Sequence, residues 1–176
     1  MLTLRNTPNM DRIEILGNQQ DLDALYSSLR TIVGDEGEHG VEGHRLLVLS
    51  LCTDLRHAIQ GDPEVELKDS GFESNKMRST VNDVSEDTSG YTRPCTISYP
   101  EVLFVTMFLN DFIRDYARKK AVGSRFPLLD EINLWDADIA YVRLFQSLVV
   151  NCLEEVVTEA SFKRILNLMS KGLPKD

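Results

Sequence analysis

The stretch Pro100-Glu-Val-Leu-Phe-Val-Thr-Met-Phe-Leu109 decides the fold, because it predicts a helix with almost no polar side. Proline is favoured at the first position of a helix, so we expect Pro100 to open a helix that runs over residues 100–119. From Val102 to Leu109 the residues are apolar on nearly every side, and a helix of that kind is buried on nearly every side. The sequence therefore predicts a core helix around which the other elements pack.

Two helices are predicted on the N-terminal side of this one. Residues 21–33 carry apolar side chains at helical spacing, with Asp21 placed to cap the helix and Gly34 to end it. A glycine-rich, charged connector follows. Residues 44–60 are then apolar over about half of the helix circumference, which predicts a second central helix that ends at Gly61.

Two more helices are predicted on the C-terminal side. Asp136 can cap a helix whose apolar residues recur at helical spacing as far as Val157, and we expect Trp135 to pack beneath it. The last helix covers residues 159–171 and ends at Gly172.

The strands are short and are recognised by alternation. Leu2 and Leu4 alternate with polar residues, as do Ile13 and Ile15, and residues 6–9 supply the turn of a hairpin. Residues 65–67 and 95–99 alternate in the same way. The predicted fold is therefore α+β: about five helices on one face of a small antiparallel sheet, built from the N-terminal hairpin and one or two further strands.

The length and composition predict one domain over residues 1–176, because 176 residues can bury one sizeable core. The least periodic part is residues 72–94, where a mobile loop and a weakly signalled strand pair are both compatible with the sequence.

The net charge of −9 repels phosphate backbones and anionic lipid surfaces, so neither nucleic acid nor a membrane is an expected partner.

The cysteines and the N-terminus bear on the compartment. Cys52, Cys95 and Cys152 are odd in number, widely spaced and outside any Cys-x-x-Cys motif, which indicates reduced thiols and no zinc site. The first residues lack the basic and apolar regions of a signal peptide, and the longest near-apolar run is too short to span a bilayer. We expect a cytoplasmic protein.

One group of polar residues could carry chemistry. Ser50, Asp54 and His57 fall within about 60° of one another on helix 44–60, on its polar flank. A carboxylate three residues before a histidine can fix the histidine's tautomer and raise its basicity. Against this, catalytic groups usually converge from several elements, so local hydrogen bonds at the edge of the core explain the pair more simply.

Other candidates are weaker. Two aspartates at the flank Asp111, Arg114, Asp115 and Arg118 could hold a divalent cation, but alternating ion pairs explain this spacing more simply. Phosphate-binding glycine motifs, nucleophile elbows and zinc-protease signatures are absent from the sequence. We therefore predict neither a cofactor nor a metal ion.

Several stretches resemble an uncharacterised family of small bacterial proteins. They are Arg5-Asn-Thr-Pro-Asn9, Asp21-Leu-Asp-Ala-Leu-Tyr26, Leu51-Cys-Thr-Asp-Leu-Arg-His-Ala-Ile-Gln-Gly-Asp62, Tyr99-Pro-Glu-Val-Leu-Phe104 and Leu109-Asn-Asp-Phe-Ile113. The resemblance covers most of the chain. It implies a bacterial cytoplasmic domain and assigns no activity or catalytic residue.

Two functional hypotheses follow. The first is a non-catalytic binding or regulatory protein that acts through protein–protein contacts, with a protein partner or a second copy of the chain. The second is a small hydrolase-like or metal-assisted enzyme organised around Asp54 and His57, with Arg56 or His44 as helpers. The absence of catalytic and cofactor-binding motifs from the sequence favours the first hypothesis.

Overall fold

The computed structural model describes residues 1–35, 42–60 and 93–171. Its elements, in chain order, are β1 Thr3–Asn6, β2 Arg12–Leu16, α1 Gln19–Val33, α2 Glu42–Gln60, β3 Cys95–Ser98, α3 Tyr99–Lys120, a 3₁₀ turn Pro127–Leu129, α4 Glu131–Leu134, α5 Ala137–Val156 and α6 Glu159–Lys171. The predicted α+β class is confirmed, with the helices packed against a small antiparallel sheet. The predicted strand at 65–67, residues 72–92 of the segment 72–94, and the glycine stops at 61 and 172 lie outside the described residues.

The sheet has the order β1-β2-β3, and both pairings are antiparallel. Ile13 lies opposite Ile97, and Ile15 lies opposite Cys95. All four side chains are buried while their neighbours along the strands are more exposed, so one face of the sheet carries the core. The N-terminal hairpin predicted from the alternation is therefore confirmed.

Helix α3 has the central position predicted for it, since it contacts α1, α2, α4, α5 and α6. Its burial is less complete than the sequence suggested. Phe104 is 51% exposed, and Leu103 and Met107 are only partly buried. The Phe104 ring stacks on Phe108, with ring centroids 6.1 Å apart. The helix also begins one residue earlier than predicted, so Pro100 is its second residue rather than its first.

The N-terminus of α1 corrects a second prediction. The N-cap is Asn18, and Asp21 is the third residue of the helix. The Asn18 side chain accepts a hydrogen bond from the Asp21 backbone N–H at 2.8 Å, and the Asp21 carboxylate accepts one from the Asn18 backbone N–H at 3.0 Å. Both residues belong to one capping box, and Asp21 fills its acidic position. Gly34 caps the other end, as predicted.

Trp135 corrects a third prediction, because it does not pack beneath α5. Its side chain is 84% exposed. The Asp136 cap that follows is confirmed: the carboxylate accepts a hydrogen bond from the Ile139 backbone N–H at 2.9 Å. The second Asp136 oxygen pairs with the Lys120 ammonium at 2.5 Å, so the start of α5 is tied to the end of α3.

Candidate functional site

The predicted group Ser50, Asp54 and His57 lies on α2. Ser50 and Asp54 are exposed and His57 is half-buried. No hydrogen bond joins Asp54 to His57 within the part of the chain that the structure describes. The two residues are nevertheless electrostatic neighbours, since the positive charge of His57 acts on the Asp54 carboxyl.

Partial desolvation of the Asp54 carboxyl by the surrounding protein raises its pKa, although the residue is exposed overall, and the charge of His57 opposes this shift. The charge of Asp54 in turn contributes to the environment of Cys95, which lies at the start of β3. Burial, with the charges of Asp54 and Glu101 added, raises the pKa of the Cys95 thiol to about 12. A thiol with this pKa stays protonated at neutral pH, so Cys95 is a poor nucleophile.

The proposed helpers have different surroundings. The imidazole of His44 stacks on the Phe108 ring, with centroids 3.7 Å apart and an interplanar angle of 13°. This contact holds α2 against α3. Arg56 is exposed. Asp54 therefore has two electrostatic neighbours, His57 and Cys95, whereas His44 packs against Phe108. The enzyme site around Asp54 and His57 stays a prediction.

Cys52, Cys95 and Cys152 are free and buried. Burial raises the pKa of the Cys52 thiol to about 12 and raises that of Cys152 as well. Among residues 1–35, 42–60 and 93–171, no three His, Cys, Asp or Glu side chains are grouped so that they could hold a metal ion.

The charged flank of α3 forms the predicted ion pairs. The Arg114 guanidinium lies 2.9 Å from the Asp111 carboxylate, and that of Arg118 lies 3.3 Å from Asp115. Three residues separate the partners in both pairs. Both arginines also line a cavity of about 390 Å³ between α3 and the 3₁₀ turn, and the opposite wall is formed by Arg125, Phe126, Pro127, Leu128 and Leu129.

Large apolar side chains are exposed on the segment that contains this wall. Five of them are more than half exposed, and we call these the 126–135 surface: Phe126, Leu129, Ile132, Leu134 and Trp135. Leu129 is 72% exposed. Scattered exposed apolar residues are normal on proteins, but five within ten residues of chain are typical of an interaction surface.

Asn133 explains why α4 presents its neighbours to solvent. It is buried, and its amide donates to the carbonyl oxygens of Ala117 at 2.9 Å and Pro127 at 2.8 Å. On a helix, the residues before and after an inward-pointing position are turned about 100° to either side. Ile132 and Leu134 therefore flank α4 and are exposed together.

A second, polar cleft of about 160 Å³ lies between α3, α5 and α6. One Arg143 guanidinium nitrogen donates to Asn110 Oδ1 at 2.5 Å and to Gln146 Oε1 at 2.9 Å, and the Gln146 amide donates to the Thr106 carbonyl at 2.8 Å. Asn110 also donates to the Met169 carbonyl at 2.8 Å. The Asn110 and Gln146 side chains therefore have hydrogen-bond partners within the protein, and the network chiefly connects the three helices. Neither this cleft nor the cavity beside α3 is lined by Ser50, Asp54 or His57.

Two residues of the resembling stretches meet at the C-terminal end of α5. The Tyr99 hydroxyl hydrogen bonds to Asn6 Oδ1 and lies 3.1 Å from the Cys152 carbonyl oxygen. The Asn6 amide donates to the same carbonyl and to Glu155, both at 3.0 Å. Burial first, and the acidic groups of Cys152 and Glu155 second, raise the pKa of Tyr99 to about 12. The network joins β1, α3 and α5.

This network predicts an alkaline sensitivity. Because the pKa of Tyr99 is higher in the folded chain than the ordinary 10, the unfolded chain loses this proton first. The contribution of Tyr99 to stability is therefore complete below pH 10 and is lost as the pH rises towards 12. We expect Tyr99→Phe to cost about 1 kcal/mol at pH 7 and to flatten the fall of the melting temperature between pH 10 and 12. Tyr26→Phe is the control, and equal alkaline profiles for both variants would contradict the prediction.

The chain is therefore an α+β protein with a three-stranded sheet and an apolar surface at residues 126–135, and its described residues hold no group of side chains that could bind a metal ion. Within those residues, none of the helices is both long and apolar enough to cross a membrane. A family model described as a domain of unknown function, DUF6904, matches residues 2–175. The chain belongs to that family, as the resembling stretches suggested. No curated protein and no solved structure matches it.

Proposed function

We propose that this chain is a non-catalytic binding protein of the bacterial cytoplasm that acts through protein–protein contacts made by the 126–135 surface. The observation that carries the proposal is that five large apolar side chains in ten residues are more than half exposed, including the only tryptophan of the chain. Tryptophan is enriched among the residues that contribute most to protein–protein affinity. Covering each such side chain is worth about 1.5–3 kcal/mol when burial is complete.

The surface is held in place before any partner arrives. Asn133 ties α4 to α3 and to the 3₁₀ turn, and the Asp130 carboxylate accepts a hydrogen bond from the Ile132 backbone N–H at 3.3 Å. A surface fixed in this way loses little conformational freedom on binding, so more of the contact energy contributes to affinity. This preorganisation supports a recognition role.

The compartment and source rest on separate observations. Three free, buried cysteines support a reducing cytoplasm. The bacterial source rests on the family resemblance.

The test uses a photo-crosslinking amino acid in place of Leu129 and, as a matched control, in place of Leu168, which is 61% exposed on α6. We expect position 129 to capture a protein in cells that position 168 does not capture. The captured protein is then purified and titrated against the chain. Binding should shift Trp135 emission to the blue, and Leu129→Asp should weaken the affinity at least about tenfold, whereas Leu168→Asp should not.

The outcomes separate the alternatives. A crosslink of twice the chain mass identifies a second copy as the partner. Equal capture at both positions, or equal affinity of the Leu129→Asp and Leu168→Asp variants, would remove the 126–135 surface from the interface.

A further inference from the structure

The cavity beside α3 differs from the rest of this acidic protein in its charge. Residues 111–130 contain five basic and three acidic residues, a local net charge of +2, although the whole chain has a net charge of −9. Distant charges are screened beyond about 8–10 Å at physiological ionic strength, so the local positive field governs what binds at this site. The cavity therefore favours an anionic group.

The three arginines of the cavity are not equivalent. Arg114 and Arg118 each pair with an aspartate on α3. Arg125 forms no ion pair with any residue in the described part of the chain, and its guanidinium lies 5.5 Å from the centre of the Phe126 ring. A guanidinium that is already placed and lacks a carboxylate partner can bind one through two parallel hydrogen bonds.

The other wall of the cavity is apolar. Phe126, Pro127, Leu128 and Leu129 form it, and the volume of about 390 Å³ lies in the range of cavities that enclose a ligand. A small inorganic anion would leave this wall uncovered. The occupant that satisfies both walls has an apolar group beside a carboxylate.

We infer that the cavity binds an apolar side chain flanked by carboxylates, in an acidic segment of the protein partner, with Arg125 as the residue that pairs with a carboxylate. This inference rests on the proposed function and names the chemistry of the partner. A protein segment is favoured over a small carboxylate because the exposed apolar residues continue past the cavity to Trp135. It is favoured over a lipid surface because the site is concave and the net charge of the chain opposes anionic membranes.

The experiment uses two labelled synthetic peptides that differ only in charge. In the first, glutamates flank a central leucine–phenylalanine pair; in its twin, lysines replace the glutamates. Fluorescence anisotropy with the full chain should show at least about tenfold tighter binding of the acidic peptide. Raising the salt concentration from 50 to 500 mM should weaken this binding, because charged groups make the difference.

Arg125→Gln should weaken binding of the acidic peptide about tenfold, and Arg164→Gln, at an exposed position on α6, should leave it unchanged. Equal effects of the two substitutions, or equal or undetectable binding of both peptides, would overturn the inference. Tighter, Arg125-dependent binding of decanoate would assign the cavity to a small carboxylate instead. Co-sedimentation with phosphatidylserine vesicles that Arg125→Gln abolishes would assign it to a membrane.

These results are separable from those of the proposed function. If the partner captured at position 129 binds wild type and Arg125→Gln equally, the 126–135 surface remains the interface and only the acidic-segment inference is overturned. If no partner depends on Leu129 but the acidic peptide depends on Arg125, the cavity is an anion site and the proposed function is overturned.

Discussion

Phe145→Ala should lower the free energy of unfolding by about 3–5 kcal/mol, which is a large part of the 5–15 kcal/mol typical of a whole domain. Phe145 lies on α5 and has no exposed surface. Helix α5 contacts α1, α3 and α6, so truncation leaves a cavity where several helices meet. Urea denaturation measures the effect as a lower midpoint with an unchanged slope.

The control for Phe145→Ala is its neighbour, because Leu144 is 40% exposed on the same helix. Leu144→Ala should cost about 1 kcal/mol or less. A similar cost for both variants would mean that the described core does not stabilise the fold in the way that its burial indicates.

Asn133→Ala should cost about 2 kcal/mol, because the Ala117 and Pro127 carbonyl oxygens lose a buried donor. Two features of the site keep the loss of stability from being larger. The Asn133 Oδ1 atom has no hydrogen-bond partner among the described residues, and both carbonyls keep a backbone donor, from Ala121 and from Asp130.

The effect of Asn133→Ala should also be local, because the Asn133 amide hydrogen bonds to the neighbouring turn and to α3, and hydrogen exchange can measure this. Hydrogen exchange should become faster in the 3₁₀ turn and α4, and remain unchanged in β1 and β2. Asn151→Ala, at an exposed position of α5, should change stability by no more than about 0.5 kcal/mol. Unchanged exchange in α4 would show that Asn133 does not hold the 126–135 surface in place.

The elements that the sequence predicted are those with a long or strict period. Helix α3 was recognisable from its apolar run, and the hairpin from the alternation around Ile13 and Ile15. Two predictions were wrong at points that such periodic patterns do not determine: the N-cap of α1 and the burial of Phe104. Asn18 and Asp21 both fit a helix N-terminus, and only backbone geometry shows which of them is the cap. Burial of Phe104 depended on the number of neighbours, which one helix cannot reveal.

The 126–135 surface was beyond sequence reasoning for a different reason. The 3₁₀ turn and α4 are three and four residues long, too short for a periodic signal. Trp135 was expected beneath α5, and its exposure follows from the positions of α4 and α5, which the sequence does not give. The chemistry around Asp54 could be predicted only along α2. Its proximity to Cys95, on a strand far along the chain, required the fold.

The pairing of β2 with β3 has a consequence for the order in which the protein can fold during synthesis. A two-stranded hairpin alone is marginally stable in water, and the third strand is made about 80 residues after β2. The N-terminal Asn6 also hydrogen bonds to the Cys152 carbonyl. The contacts of the N-terminal hairpin with β3 and with α5 can therefore form only after most of the chain has been synthesised.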